Sequence, residues 1–296
     1  MHYPASDTRP HLAAETSGGP LMPLPIITAD QRLAEVRGVK GVLVGSWGLG
    51  KTFQLWTLDP ATTLFVDIEA GDLAVKSWPG DSLRPRTWED CRDIAVLLGG
   101  PNPALREGQS FSQWHYESAT ERYGDAAELA KYRTVFIDSI TVAGRLCFQW
   151  CKGQPQAFSE KNNKPDVRGA YGLLGQEMVA WLTHIQHTRT KHIWFVGILD
   201  ERTDEFNRRY YELQIDGSKT GLELPGIVDE VITLAEIKPA DGEPYRAFVC
   251  QTGNPWGFPA KDRSGRLDMV EPPNLGQLMR KLGAPEAAAP NPPSFH

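Results

Sequence analysis

The sequence holds no run approaching the roughly 18 apolar residues that a membrane-spanning helix needs. Cysteine is scarce, four in 296 residues. Cys91 and Cys250 stand alone. Cys147 and Cys151 lie four apart in an apolar helical pattern that turns both toward one buried face. Neither a disulfide framework nor a Cys-x-x-Cys metal clip has that spacing. Basic charge is not in excess: 31 Lys and Arg stand against 37 Asp and Glu, a formal charge of −6. That argues against coating nucleic acid by bulk electrostatics and leaves room only for a local basic stripe. Met1-His2-Tyr3-Pro4 lacks a charged-then-apolar leader, so the expectation is a reducing, cytoplasmic setting. No Gly-x-Ser-x-Gly or Cys–His nucleophile pattern stands out. His184, His187 and His192 have no Cys or acid at metal spacing to complete a zinc set.

What is present reads as an α/β chain. Residues 1–24 are rich in Pro, Ser, Thr and Gly without hydrophobic period and are expected to form a flexible arm. Residues 285–296 read as a disordered tail. Between them, residues 25–284 are expected to fold as one domain. Short apolar runs at Gly41–Val44, Thr63–Ile68, Thr134–Ile137 and His192–Ile198 lack polar alternation, as strands buried on both faces do. Helical patterns at Lys51–Leu58, Trp88–Leu98, Glu117–Lys131, Ile140–Lys152 and Tyr171–Thr188 alternate with them. That order predicts a mainly parallel central sheet flanked by helices. Ile227–Ile237 and Tyr245–Gln251 flank Pro239-Ala240-Asp241-Gly242 and predict a C-terminal antiparallel hairpin.

The sharpest signal is Gly45-Ser46-Trp47-Gly48-Leu49-Gly50-Lys51-Thr52, which satisfies G-x-x-x-x-G-K-[ST] directly after the apolar run Val42-Leu43-Val44. Glycines let successive backbone N–H groups curl around phosphates, and the following helix offers its positive end. Lys51 is then placed for the β- and γ-phosphates of ATP, and the Thr52 hydroxyl for Mg²⁺. Val135-Phe136-Ile137-Asp138 is an apolar strand ending in a carboxylate suited to the same metal. Leu64-Phe65-Val66-Asp67-Ile68-Glu69 is a second such run, whose terminal Glu69 suits a general base for the attacking water. Asn163-Lys164-Pro165-Asp166 matches a guanine-reading pattern, but polar residues rather than a buried strand precede it, so guanine specificity is not expected.

The order of these features resembles RecA-like P-loop ATPases over about residues 40–251. The run Val66-Asp67-Ile68-Glu69, the stretch Ile137-Asp138-Ser139-Ile140-Thr141, Tyr171-Gly172 and Leu224-Pro225-Gly226 are similar to phage-encoded members that serve recombination and single-strand annealing. The resemblance implies ATP and Mg²⁺ at Gly45–Thr52 with Asp138, and Glu69 as base. It also implies a ring or filament, and the host cytosol as location if the chain is phage-encoded. In such proteins the polar segments after the third and fourth strands face DNA. Here they are Gly153–Gly169, with Lys161, Lys164 and Arg168, and Asp200–Lys219, with Arg208, Arg209, Tyr210 and Tyr211. The stretch from Lys152 to Gly169 carries four basic against two acidic residues, whereas the second segment carries four against six. Arg beside Tyr suits either a single-stranded DNA channel or a subunit contact. Lys219, at the tip of a Gly-bounded loop, is the candidate cation inserted into a neighbour's site, or else an ordinary surface lysine. One departure is plain: where RecA ends the fourth strand with a phosphate-sensing Gln, this chain has Ile198-Leu199. A nucleotide-dependent assembly module with little DNA binding or hydrolysis is therefore the alternative.

Overall fold

The computed structural model describes residues 26–283. The expected arm 1–24 and tail 285–296 lie outside the described residues. The described residues divide into two units, one ending at Glu35 and the other beginning at Val36. In the first, α1 (Ala29–Ala34) starts at a capping box, in which Thr28 and Gln31 each bond the other's backbone N–H.

The second unit is built on one sheet. Its elements are β1 (Lys40–Gly45), β2 (Thr63–Asp67), β3 (Asp81–Leu83), α2 (Trp88–Gly99), α3 (Gln113–Tyr123), β4 (Thr134–Asp138), α4 (Ile140–Cys151) and α5 (Val167–Gln186). There follow β5 (His192–Thr203), β6 (Arg209–Leu213), α6 (Ser218–Ile227), β7 (Glu230–Ile237), β8 (Tyr245–Val249), β9 (Lys261–Asp262), β10 (Val270–Glu271) and α7 (Leu275–Leu282). The strand order is β10-β8-β7-β1-β5-β4-β2-β3, with β6 added to β5 and β9 to β7. β7, β1, β5, β4, β2 and β3 run parallel; β8 turns back on β7 as the expected hairpin.

Both sheet faces are covered, which is why the strands read as unbroken apolar runs. Side chains alternate across the pleat. Val42, Val44, Val66, Ile137 and Phe195 pack under α2, α4 and α5. Leu43, Phe65, Phe136, Trp194 and Ile232 pack on the other side, with Leu55 and α7. Cys147 and Cys151 are buried thiols on the inner face of α4, Sγ atoms 4.0 Å apart. Among the described residues no helix is long and apolar enough to cross a membrane.

Several expected boundaries move. Lys51–Leu58 is not an α-helix but a 3-10 turn, Thr52–Thr57. Its i→i+3 bonds end at Leu58, and Pro60 disfavours helical backbone just beyond. Glu117–Lys131 is broken by Gly124, whose φ of 93° caps α3, and Asp125 starts a separate 3-10 turn, Ala126–Lys131. Ile227 ends α6 rather than opening a strand. The polar segment after the fourth strand is no open loop: β5 runs on to Thr203 and returns as β6, a two-stranded extension.

At the start of β7, Glu230 is buried with Oε2 unpartnered, opposite Asp262 in β9. Burial first, then the Asp262 and Asp229 carboxylates, raise it from 4.5 to about 8, against a backbone N–H of Arg263 that works the other way. The folded chain thus keeps a proton that the unfolded chain releases, so this group's contribution to stability falls as pH rises from about 4.5 to about 8 and is flat above that. Melting temperatures measured from pH 5 to 9 are expected to fall less steeply in Glu230→Gln than in the wild type. Parallel curves would refute a buried, protonated Glu230.

Candidate active site

The loop after β1 is shaped by its glycines. Gly48 and Gly50 have φ of 77° and 95°, a region side chains disfavour. At Gly45 a Cβ would lie 2.4 Å from the Leu234 carbonyl oxygen, so the loop starts pressed against β7. Lys51 donates from Nζ to the carbonyls of Gly45 and Ser46, both at 2.9 Å, which folds its ammonium back over the loop. Burial pulls its pKa down, while Asp138 and Glu69 pull it back up. Ser46, Trp47 and Leu49 complete the turn, with Trp47 84% exposed at the tip.

The parallel register brings the acids to the loop. Asp67 and Asp138 are paired across β2 and β4. The Ile68 and Glu69 N–H groups both donate to the Asp138 carbonyl, at 2.7 and 3.1 Å. The Thr52 hydroxyl donates to Asp138 Oδ2 at 2.6 Å. Burial lifts Asp138 to about 6; Thr52 and Lys51 oppose that, and the charges of Glu69 and Asp67 add to it. Together Lys51, Thr52, Glu69 and Asp138 line a cleft of about 320 Å³ with Trp47, Gly48 and Gly50.

This donor set fits Mg²⁺. A hydroxyl bonded to a buried carboxylate offers hard oxygen ligands, and three acids crowd a place where a cation would relieve their repulsion. Among the described residues, no group of three or more His, Cys, Asp and Glu forms a closed metal cage. Mg²⁺ at nucleotide sites uses one or two protein ligands and the phosphates instead.

Residues 37–264 match a family model described as an AAA domain. The chain belongs to this AAA-domain family. No curated protein matches. An AAA domain is a nucleotide-binding P-loop fold, and the glycine loop with its cleft is the candidate place for the nucleotide.

Other expected site residues lie elsewhere. Lys161 and Lys164 are exposed in the turn before α5, and Arg168 is exposed in its first turn, where Asp166 caps the helix. None of the three cations has an ion-pair partner among the described residues. Arg208 sits over the Phe206 ring at 5.2 Å, and Arg209 pairs with Glu201 at 3.3 Å. Tyr210 is exposed, whereas Tyr211 packs on Phe258 at 4.6 Å. Lys219 opens α6, its stem against Gly175 and its ammonium 3.8 Å from Glu223, and it does not line the cleft of its own chain.

Asp67, not among the expected site residues, adds its charge to this site. It is buried, with Oδ2 lacking a hydrogen bond, and burial raises its pKa while Arg84 Nε, 3.7 Å away, lowers it. The signal was within the Val66–Glu69 run, whose first acid shares a register position with Asp138. His184 stacks on Phe111 at 4.3 Å, and burial holds it down to about 4. His192 accepts from Val39 N–H, so both serve packing.

Asp138→Asn keeps a partner for Thr52 but removes the charge. ATP titrated calorimetrically into wild type is expected to bind more tightly with Mg²⁺ than without; in Asp138→Asn that difference is expected to vanish. An undiminished Mg²⁺ effect would refute the assignment.

Proposed function

We propose that the chain is a Mg²⁺-dependent ATPase of RecA-like kind that acts on single-stranded DNA in phage-type recombination or annealing. The observation that carries this reading is Glu69 on the rim of the cleft that holds Lys51 and the Thr52–Asp138 pair. Loop amides and Lys51 would hold the β- and γ-phosphates, with Lys51 leaving the two carbonyls it now bonds. Thr52 and Asp138 would hold Mg²⁺, which supplies positive charge to the phosphate oxygens. Glu69 would take a proton from water as its oxygen bonds to the γ-phosphorus. The bond from that phosphorus to the β–γ bridging oxygen breaks, giving ADP and phosphate. A neighbouring copy's Lys219 remains the candidate for the last cation, released from its exposed pair with Glu223.

The DNA part of the proposal rests on Lys161, Lys164 and Arg168, exposed cations in a segment of net positive charge. Arg208 and Tyr210 at the hairpin would add a guanidinium and a stacking face. A second reading, a nucleotide-dependent assembly module, is favoured by the hairpin's own pairing. There Arg209 pairs with Glu201 and Arg202 with Glu212 at 3.1 Å, so two of its three arginines are satisfied internally.

Glu69→Gln is expected to lower kcat by roughly 10²- to 10⁴-fold while ATP still binds. Phosphate release and nucleotide titration read the two quantities, and a kcat within a few-fold of wild type would discard Glu69 as base. Single-stranded DNA is expected to raise the ATPase rate at low salt, and the triple variant Lys161→Ala, Lys164→Ala, Arg168→Ala to lose that rise. A rate indifferent to DNA would favour the assembly reading.

A further inference from the structure

Beside the glycine loop lies a cation that no motif announces. β8 runs antiparallel to β7, with Arg246 opposite Glu236, and β7 lies beside β1. The first residues of β8 therefore reach the same sheet edge as the glycine loop. A Cβ placed on Gly50 would lie 3.5 Å from Arg246 Nη1 and 3.8 Å from the Phe53 Cβ. The guanidinium thus rests against the loop's last glycine.

Arg246 is exposed, and its guanidinium has neither a hydrogen bond nor an ion pair among the described residues. Its cross-strand neighbour Glu236 is engaged by Lys238 at 3.6 Å. The cleft's own acids do not neutralise it either. Asp67 and Asp138 belong to β2 and β4, whereas β8 lies two strands beyond β1 in the other direction. Other arginines of the sheet unit are paired, as Arg84 is with Asp72, Arg122 with Asp93 and Arg263 with Asp229. An unpaired guanidinium against a loop of converging N–H groups is an anion site with one half already built.

We infer that Arg246 is a phosphate-binding residue of the nucleotide site, contributed by β8 of the same chain. It holds the polyphosphate against Gly50 from the side away from Asp138. This rests on the ATP reading above and adds a residue to it. A guanidinium can present two parallel N–H groups to phosphate oxygens, which a lysine ammonium cannot reproduce.

The test titrates ATP and inorganic tripolyphosphate, each with Mg²⁺, into wild type, Arg246→Gln and Arg246→Lys, with melting curves alongside. Arg246→Gln is expected to weaken both ligands by roughly tenfold to a hundredfold, the loss shrinking as salt is added. Arg246→Lys is expected to recover part of it. Wild-type affinity for both ligands in Arg246→Gln would overturn the inference and leave the loop reading standing. Weaker ATP binding without weaker tripolyphosphate binding would also overturn it, in favour of a base contact. Failure of the wild type to bind ATP would overturn the loop reading itself, and Arg246's role with it.

Discussion

The 2.6 Å hydrogen bond from Thr52 to Asp138 is the contact around which the rest of the site is arranged. It joins the loop after β1 to the end of β4, two strands that do not touch because β5 lies between them. It forms only if the parallel registers of β1 on β5 and β5 on β4 both hold. A slip of one residue in either would turn Asp138 to the opposite face of the sheet. That explains the weight of apolar packing beneath so small a polar cluster. The carboxylate is buried, and an unpaired charge there would cost several kcal/mol. The protein meets the demand with a hydroxyl, a nearby ammonium and a pKa lifted to about 6. A buried carboxylate held in that state is poised to gain from a divalent cation.

The loop's other side is held differently. The short 3-10 turn after Thr52 is too brief to be stable alone, and tertiary contacts hold it. The Gln54 side chain accepts from Leu275 N–H and donates to the Pro273 carbonyl, while the Thr57 hydroxyl accepts from Gly276 N–H. At Gly276 a Cβ would lie 2.0 Å from the Thr57 carbonyl oxygen, so only glycine admits this approach. A segment more than 200 positions away thus anchors the turn that follows the glycine loop, and α7 lays Leu275, Leu278 and Leu282 into the same apolar layer as Leu55.

These two halves differ in how readable they were. The buried strands, the glycine loop and the acids ending β2 and β4 declare themselves through local chemistry: unbroken apolar runs, glycine spacing, an acid where each run stops. The central parallel sheet and its C-terminal hairpin follow from that order. What stayed hidden depends on partners distant in sequence. The Thr52–Thr57 segment looks helical until Gln54 and Thr57 are seen spending their polar groups on α7. The polar stretch after Ile198 looks like a loop because its alternating charges are paired across a hairpin, Arg202 to Glu212 and Arg209 to Glu201, and not because it lacks order. β3, β9 and β10 are only two or three residues long, below the length at which a period can be recognised. Arg246 sits in an unremarkable strand, and only the fold of β8 beside β7 gives it a meaning.

The same long-range wiring bears on how the cleft connects to the hairpin. Ile198 lines the cleft and offers phosphate no side-chain hydrogen bond, so a sensing role has to be sought in backbone. Its N–H donates to the Thr141 hydroxyl at 3.3 Å, and its carbonyl accepts from Gln214 N–H at 2.8 Å. Thr141 lies three residues beyond Asp138 in the first turn of α4, and Gln214 directly follows β6. A continuous path therefore runs from the Asp138 carboxylate at the end of β4, through the start of α4, to both strands of the extension. Such a path transmits only what displaces its members. The buried Asp138, bonded to Thr52, stands at the head of that path. The apolar Ile198 in place of a polar side chain does not remove the extension's contact with the cleft, because its backbone keeps that contact.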